Sequence, residues 1–192
     1  MAISKVNFNS LNLTPTASKT VVFNSNNNGI EAGDVGGSLV LISSQTASSS
    51  ANITFDTNID STYKEYIFKF INMQSASTDV AFQVNFRDGG SSYDATKTTS
   101  YFYTEHGEGG QAGTVGYLAS RDEAQSSDAQ HLTTNIGRTG SDSASGTLHL
   151  FDPSSTTFVK HFTSVVSNHD TTSPGYSQAI YVGGYCNVTA AI

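Results

Sequence analysis

SGTLHLFDPSSTTFVKHF, residues 145 to 162, decides how the chain is read. Two strongly β-forming runs flank a short loop that carries Asp152-Pro153. In the second run Phe158, Lys160 and Phe162 fall on one side, and Val159 and His161 on the other. Side chains of a strand alternate faces with a period of two, so this stretch reads as a hairpin that buries bulky aromatics.

The same chemistry recurs outward from this hairpin in both directions. Towards the C-terminus, Gln178 to Tyr185 reads as a further strand. Towards the N-terminus, Lys64 to Asn72 (KEYIFKFIN) places Tyr66, Phe68 and Phe70 on one side. Val80, Phe82, Val84 and Phe86 alternate with Ala81, Gln83, Asn85 and Arg87, the pattern of a half-buried strand with the first set inward. Thr98 to Thr104 and Thr114 to Leu118 read as a pair around a glycine-rich loop at 107–113. Leu39 to Ile42, Ala51 to Phe55 and Leu132 to Ile136 are further expected strands, and Ser120 to Gln130 holds the one plausible helical turn. About ten short strands at this spacing predict an all-β fold, an antiparallel β-sandwich of jelly-roll-like type. Val188 to Ile192 reads as a strand that has only started, which would leave an open sheet edge.

Composition agrees with an all-β fold. The 192 residues suffice for one domain with a sizeable core. Ser 28, Thr 23, Asn 14 and Gly 17 fill the positions that a helical protein would give to Glu, Lys, Ala and Leu. Residues 1–36 differ from the rest, with NSNNNG at 24–29 and little apolar content beyond Val21, Val22 and Phe23. They are expected to form an extended N-terminal arm, with those three residues as its apolar assembly anchor, ahead of a sandwich domain at 37–192.

A net charge of −7 repels nucleic-acid phosphates and anionic membranes alike, so neither is expected as a direct partner. The single Cys186 excludes an internal disulfide framework. No apolar run follows Met1-Ala2-Ile3-Ser4-Lys5, so no secretory signal is expected, and no run approaches the length of a membrane-spanning helix.

Candidate chemistry is sparse. Asp56, Asn58 and Asp60 open like a calcium loop, but Ser61 stands where glycine is needed and Ile67 where the closing glutamate belongs, so a turn is expected. His149 and His161 lie on neighbouring expected strands without a third or fourth metal ligand. His106 and Glu108 sit at a glycine-rich loop, a poor place to hold acid/base geometry. No nucleophile elbow, phosphate loop or zinc-binding helix motif occurs. Hence no catalytic residue, metal ligand or cofactor is expected. Tyr101 and Tyr103 are the candidate exposed aromatics beside the glycine-rich loop, and Cys186 is expected to be a small buried apolar group.

Ser61 to Asn72 (STYKEYIFKFIN), Asp88 to Phe102 (DGGSSYDATKTTSYF) and the opening stretch resemble, in order and spacing, a widespread family of marine tailed-phage structural proteins. That family occurs in cyanophages, pelagiphages and related phages, and the resemblance covers residues 37–192. It implies a non-enzymatic virion component made in the host cytoplasm: a head decoration or head-associated fibre, partnered by other virion proteins and by copies of itself, with a homotrimer as the expected state. Members usually continue past the position of Ile192 with another strand pair, so the resemblance implies either a shortened version or a sequence that stops early. The alternative is a receptor-binding tail fibre or tip domain for a host surface glycan, and a third reading is a glycan-degrading depolymerase.

Overall fold

A computed structural model describes residues 19–23, 26, 29–34, 39–77, 80–137, 142–170 and 175–192. The chain divides into two compact units, Met1–Ser44 and Gln45–Ile192. In the first, β1 (Lys19–Phe23) and β2 (Ile30–Asp34) pair antiparallel as a hairpin. Leu39 to Ile42 form no strand, and the Leu39, Val40 and Leu41 side chains are exposed. Their β-propensity finds no neighbouring strand among the described residues, and a strand without a ladder is not stable by itself.

The second unit is all-β and sandwich-like, with two unequal layers. Its main layer is a seven-stranded antiparallel sheet. The strands are β3 (Glu65–Met73), β5 (Lys97–Gly107), β6 (Thr114–Tyr117), β7 (Ala124–Ser126), β9 (Ala144–Phe151), β10 (Lys160–Asp170) and β11 (Tyr176–Cys186). They lie in the order β3-β9-β10-β11-β5-β6, with β7 also paired to β5. The meander β9–β10–β11 is thus the sheet's centre, and the opening sequence stretch supplies most of β9 and the first three residues of β10. The thinner layer carries β4 (Gln83–Val84) paired with β8 (Gln130–His131), extended by a bridge from Val80 to Ile136. Side-chain and main-chain bonds knit this layer where ladders do not, as in Leu132 N–H to Phe82 O at 2.8 Å and Phe82 N–H to Thr133 Oγ1 at 2.8 Å. Among the described residues no helix is long and apolar enough to cross a membrane.

Strand alternation puts Leu148, Leu150, Phe162, Val166, Ile180 and Val182 on the inner face of the sheet. Phe86, Leu132 and Ile136 of the thinner layer complete the same core. Phe86 meets Phe162 with ring centroids 5.0 Å apart, and Phe82 meets Phe70 edge-on at 4.8 Å.

The structure corrects several expectations. Val80 is 41% exposed: the ladder reaches only Gln83 and Val84, so Val80 sits at the rim, while Phe82 and Val84 are half-buried against the core. Phe158 is 70% exposed, because β10 begins at Lys160 and Phe158 still belongs to the preceding turn, its N–H on Ser155 Oγ. Ala51 to Phe55 form no ladder, although Phe55 still packs edge-on against Phe68 at 5.8 Å. The helical turn shrinks to one 3-10 turn, Ala119–Arg121. Val188 and Ile192 are not an edge strand: both pack on the core, and Ile192 N–H bonds Pro153 O.

Phe162 is 1% exposed. Phe162→Ala should therefore cost about 3–5 kcal/mol in a denaturant titration, whereas Phe158→Ala should stay within about 0.5 kcal/mol.

Candidate functional site

Polar side chains converge at three places in the second unit. The first is a pocket of about 410 Å³ lined by Glu108, Ser143, Ser145, Ser167, His169 and Ser177, with Asn168 at its base. It forms where the ends of β5 and β10 meet the beginnings of β9 and β11. His169 Nδ1–H donates to Asp142 Oδ1 at 2.6 Å, which fixes the ring, and Nε2 lies 3.4 Å from Glu108 Oε1. Gly175 permits this approach: a Cβ there would stand 3.0 Å from Glu108 Oε2 and 3.1 Å from His169 Nε2. The Asp142–His169 pair resembles part of a nucleophile relay. Such a relay needs a hydroxyl within hydrogen-bond reach of Nε2, and Nε2 makes no hydrogen bond among the described residues. Sequence reading picked out Glu108 with His106 and missed Asp142 and His169. Nothing short of the β9–β10–β11 register brings those two together.

The second is a row inside the core. Cys186 at the end of β11 pairs with Lys160 on one side and Lys97 on the other, and all three are fully buried. Lys160 Nζ–H donates to Phe158 O and Val188 O, and Lys97 Nζ–H to Ala95 O. Burial holds both amines below the usual lysine range. Burial also pushes the Cys186 thiol up to about 12, outweighing the two lysines that pull it down. A thiol so far from ionisation is a poor nucleophile. The row is therefore structural, with carbonyls tied by amines where the core meets its rim.

The third is the outer face of the sheet. Tyr101 and Tyr103 are not loop aromatics as expected. β5 runs through to Gly107, and both side chains point inward: Tyr101 is fully buried and the Tyr103 ring covers Gly116. Phe102, between them, faces outward, and its ring stacks on Tyr181 with centroids 4.9 Å apart and planes 8° apart. Tyr117 on β6 is its other neighbour, 63% exposed, with its hydroxyl donating to Asp122 Oδ2. On the same face His149 reaches Glu65 at 2.7 Å, and His161 contacts the Tyr185 ring at 5.9 Å, so the two histidines have separate partners.

The remaining candidates are placed as follows. Val21, Val22 and Phe23 lie in β1, paired with β2, with Val21 and Phe23 exposed and Val22 crowding Gly33. Asp60 Oδ1 accepts from Thr62 N–H at 2.8 Å in an Asx turn, and hydrogen bonds from the Thr62 side chain and then its backbone hold the Asp60 carboxyl below the usual range. Among the described residues no three of His, Cys, Asp and Glu sit close enough to hold a metal ion. No protein-family model, curated protein or solved structure matches the chain.

Two expectations follow from the buried groups. Lys97→Met should lower stability at neutral pH by about 1–3 kcal/mol, because it leaves the buried Ala95 O without its donor. A lysine whose native pKa is depressed gains stability as pH rises towards 10.5, so the deficit of the methionine variant should widen in alkaline melts. His131 is lowered from 6.5 to about 4 by burial and by the Arg121 charge. Across that window the unfolded chain takes up a proton that the native imidazole refuses, so stability falls as pH drops from 6.5 to about 4. His131→Gln should flatten that acid slope in melts recorded across the window.

Proposed function

We propose that the chain is a non-enzymatic structural subunit of a bacteriophage particle, a head decoration or head-associated fibre component. It works by contact with copies of itself and with other virion proteins, and it needs no cofactor. The phage assignment rests on the resemblance carried by the three sequence stretches. The observation that carries a contact role is the outer sheet face. Among its described outward-pointing strand residues Glu65 is the one acid and Lys69 the one lysine or arginine, on a chain of net charge −7. A broad, nearly uncharged face with Val115, Tyr117, Phe102 and Val165 exposed is surface that association buries at little electrostatic cost.

The receptor-binding alternative draws on the exposed Tyr117. Against it, Phe102 and Tyr181 stack on one another, so each has one ring face already covered. Immuno-gold labelling of phage particles with antibody raised against the purified chain tests the proposal. Label on the head is expected. Label on the tail would favour the receptor-binding reading, and unlabelled particles would overturn both.

A further inference from the structure

The outer face has a relief that follows directly from the strand register. Val165, Tyr181, Phe102 and Tyr117 are direct partners across β10, β11, β5 and β6, so they form one bulky ridge running across the strands. Two residues along, Thr163, Gly183 and Ser100 are partners and form a shallow row. Two further along, His161 and Tyr185 form a second ridge, their rings in contact. On the other side of the first ridge, Ser167, Ala179 and Thr104 form a second shallow row across β10, β11 and β5, which rises again at Val115, the exposed partner of Thr104 on β6. Tall and short rows therefore alternate at about 6.6 Å, two residues of strand rise.

Gly183 marks the deepest point. A Cβ built there meets nothing within 4 Å, whereas one at Gly184, on the inner face, would strike Thr98 O at 2.5 Å. Glycine at 183 is thus required by nothing inside the monomer; what it leaves is open space on the outside.

We propose that this face is the contact between two copies of the chain, stacked sheet to sheet about a two-fold axis that runs parallel to the ridges, between the Tyr181 and Gly183 rows. Rotation about that axis reverses position along the strand and leaves position across the strands unchanged. The first ridge of one copy then lies over the Gly183 row of the other, and the second ridge over the Ala179 row, in both directions at once. β11 lies antiparallel over its counterpart, and Gly183 receives the partner copy's Tyr181. One operator satisfies all four rows, which is the self-complementarity an isologous interface demands. The neutral face lets two chains of net charge −7 meet without opposing their acids. The rows continue onto β9 and β3, where the same operator lays His149 of one copy over Thr147 of the other and Lys69 over Ile67, and six strands at about 4.8 Å spacing give a face on the order of 800 Å² per copy, the size of a standard stable interface. The inference rests on the proposed subunit role, names its partner and surface, and sets a two-fold dimer in place of the homotrimer that the resemblance implies.

Light scattering on the purified full chain tests it. The wild type is expected to be a dimer. Gly183→Leu is expected to be a monomer that still unfolds cooperatively, its melt lowered only by the lost contribution of dimerisation and no longer dependent on protein concentration, since the added side chain enters open space in the monomer. Adding Tyr181→Ala to Gly183→Leu should restore the dimer, because the partner's residue 181 is then small where residue 183 is large. Ala179→Leu, in the other shallow row, provides a second and independent loss. A wild-type monomer, a three-copy assembly, or a dimer indifferent to both leucine variants would overturn the inference. So would loss of host polysaccharide binding in Gly183→Leu with the dimer intact. Because oligomeric state is read on the purified chain and location on the particle, failure of one leaves the other standing.

Discussion

The register of β10 against β11 is the constraint from which the rest of the second unit follows. Eleven consecutive pairs, from Lys160 opposite Cys186 to Asp170 opposite Tyr176, hold the two central strands together. A slip by one residue would send Phe162 and Val166 outward and bring His161, Thr163 and Val165 into the core, since alternation has period two. No intermediate register exists that buries half of each set. The inner pairings also place β9 and β5, whose own apolar positions continue the same rows, so one choice of register fixes four adjacent strands.

How far this was legible in the sequence differs by element. The strands of the meander, from Thr147 to Tyr185, stand out because one buried face imposes a strict alternation on eight to eleven residues. The thinner layer was harder. Its residues Phe82, Val84 and Phe86 alternate as a strand should, yet only two of that run join a ladder, because loop segments and side-chain bonds do the covering there. Alternation reports that one side is buried; it does not report what lies on that side. The error at Tyr101 and Tyr103 has the same origin. Two tyrosines flanking a phenylalanine near a glycine-rich stretch suit either face, and the choice rests on Gly116, whose missing side chain makes room for the Tyr103 ring. The convergence of Asp142, His169 and Glu108 was invisible for another reason: each comes from a different strand end, and sequence spacing carries no information about ends that meet through the sheet.

Charge placement within the core follows from where the layers stop. Lys97 and Lys160 occupy inward positions at the end of the sheet where β11 finishes, beside carbonyls of Ala95, Phe158 and Val188 that no ladder satisfies. An apolar side chain at 160 would leave two of those carbonyls short of a donor, and an unpaired buried carbonyl costs about as much as a lost hydrogen bond. The long lysine stem fills core volume while its amine reaches the loop backbone. At the opposite end, Asn168 and Gln178 continue the inward rows as amides, and Gln178 Nε2–H donates to Glu105 Oε2 at 3.0 Å. The sheet is therefore apolar across its middle and polar at both ends, each polar group answering main chain or side chain that the thinner layer leaves uncovered.

The outer face shows what remains for sequence to vary once the inner face is fixed. A sheet covered on one side ordinarily dresses its other side in Lys and Glu, which keep it wet and alone. Here the outward positions of β5, β10 and β11 are Ser, Thr, Gly, Ala, Val, His and aromatic residues, and charge is held elsewhere. Ser and Thr satisfy a pleated surface in water and lose little rotamer freedom on burial, so such a face is soluble without being committed to solvent. Gly183 sharpens the point. In a strand interior glycine carries an entropic cost and gives no packing in return, and the space above it admits a larger residue without collision. Stability of the monomer favours filling that position. A surface shaped to be met from outside favours leaving it empty, and the regular alternation of tall and short rows on either side of it gives the emptiness a matching shape in a second copy of the same face.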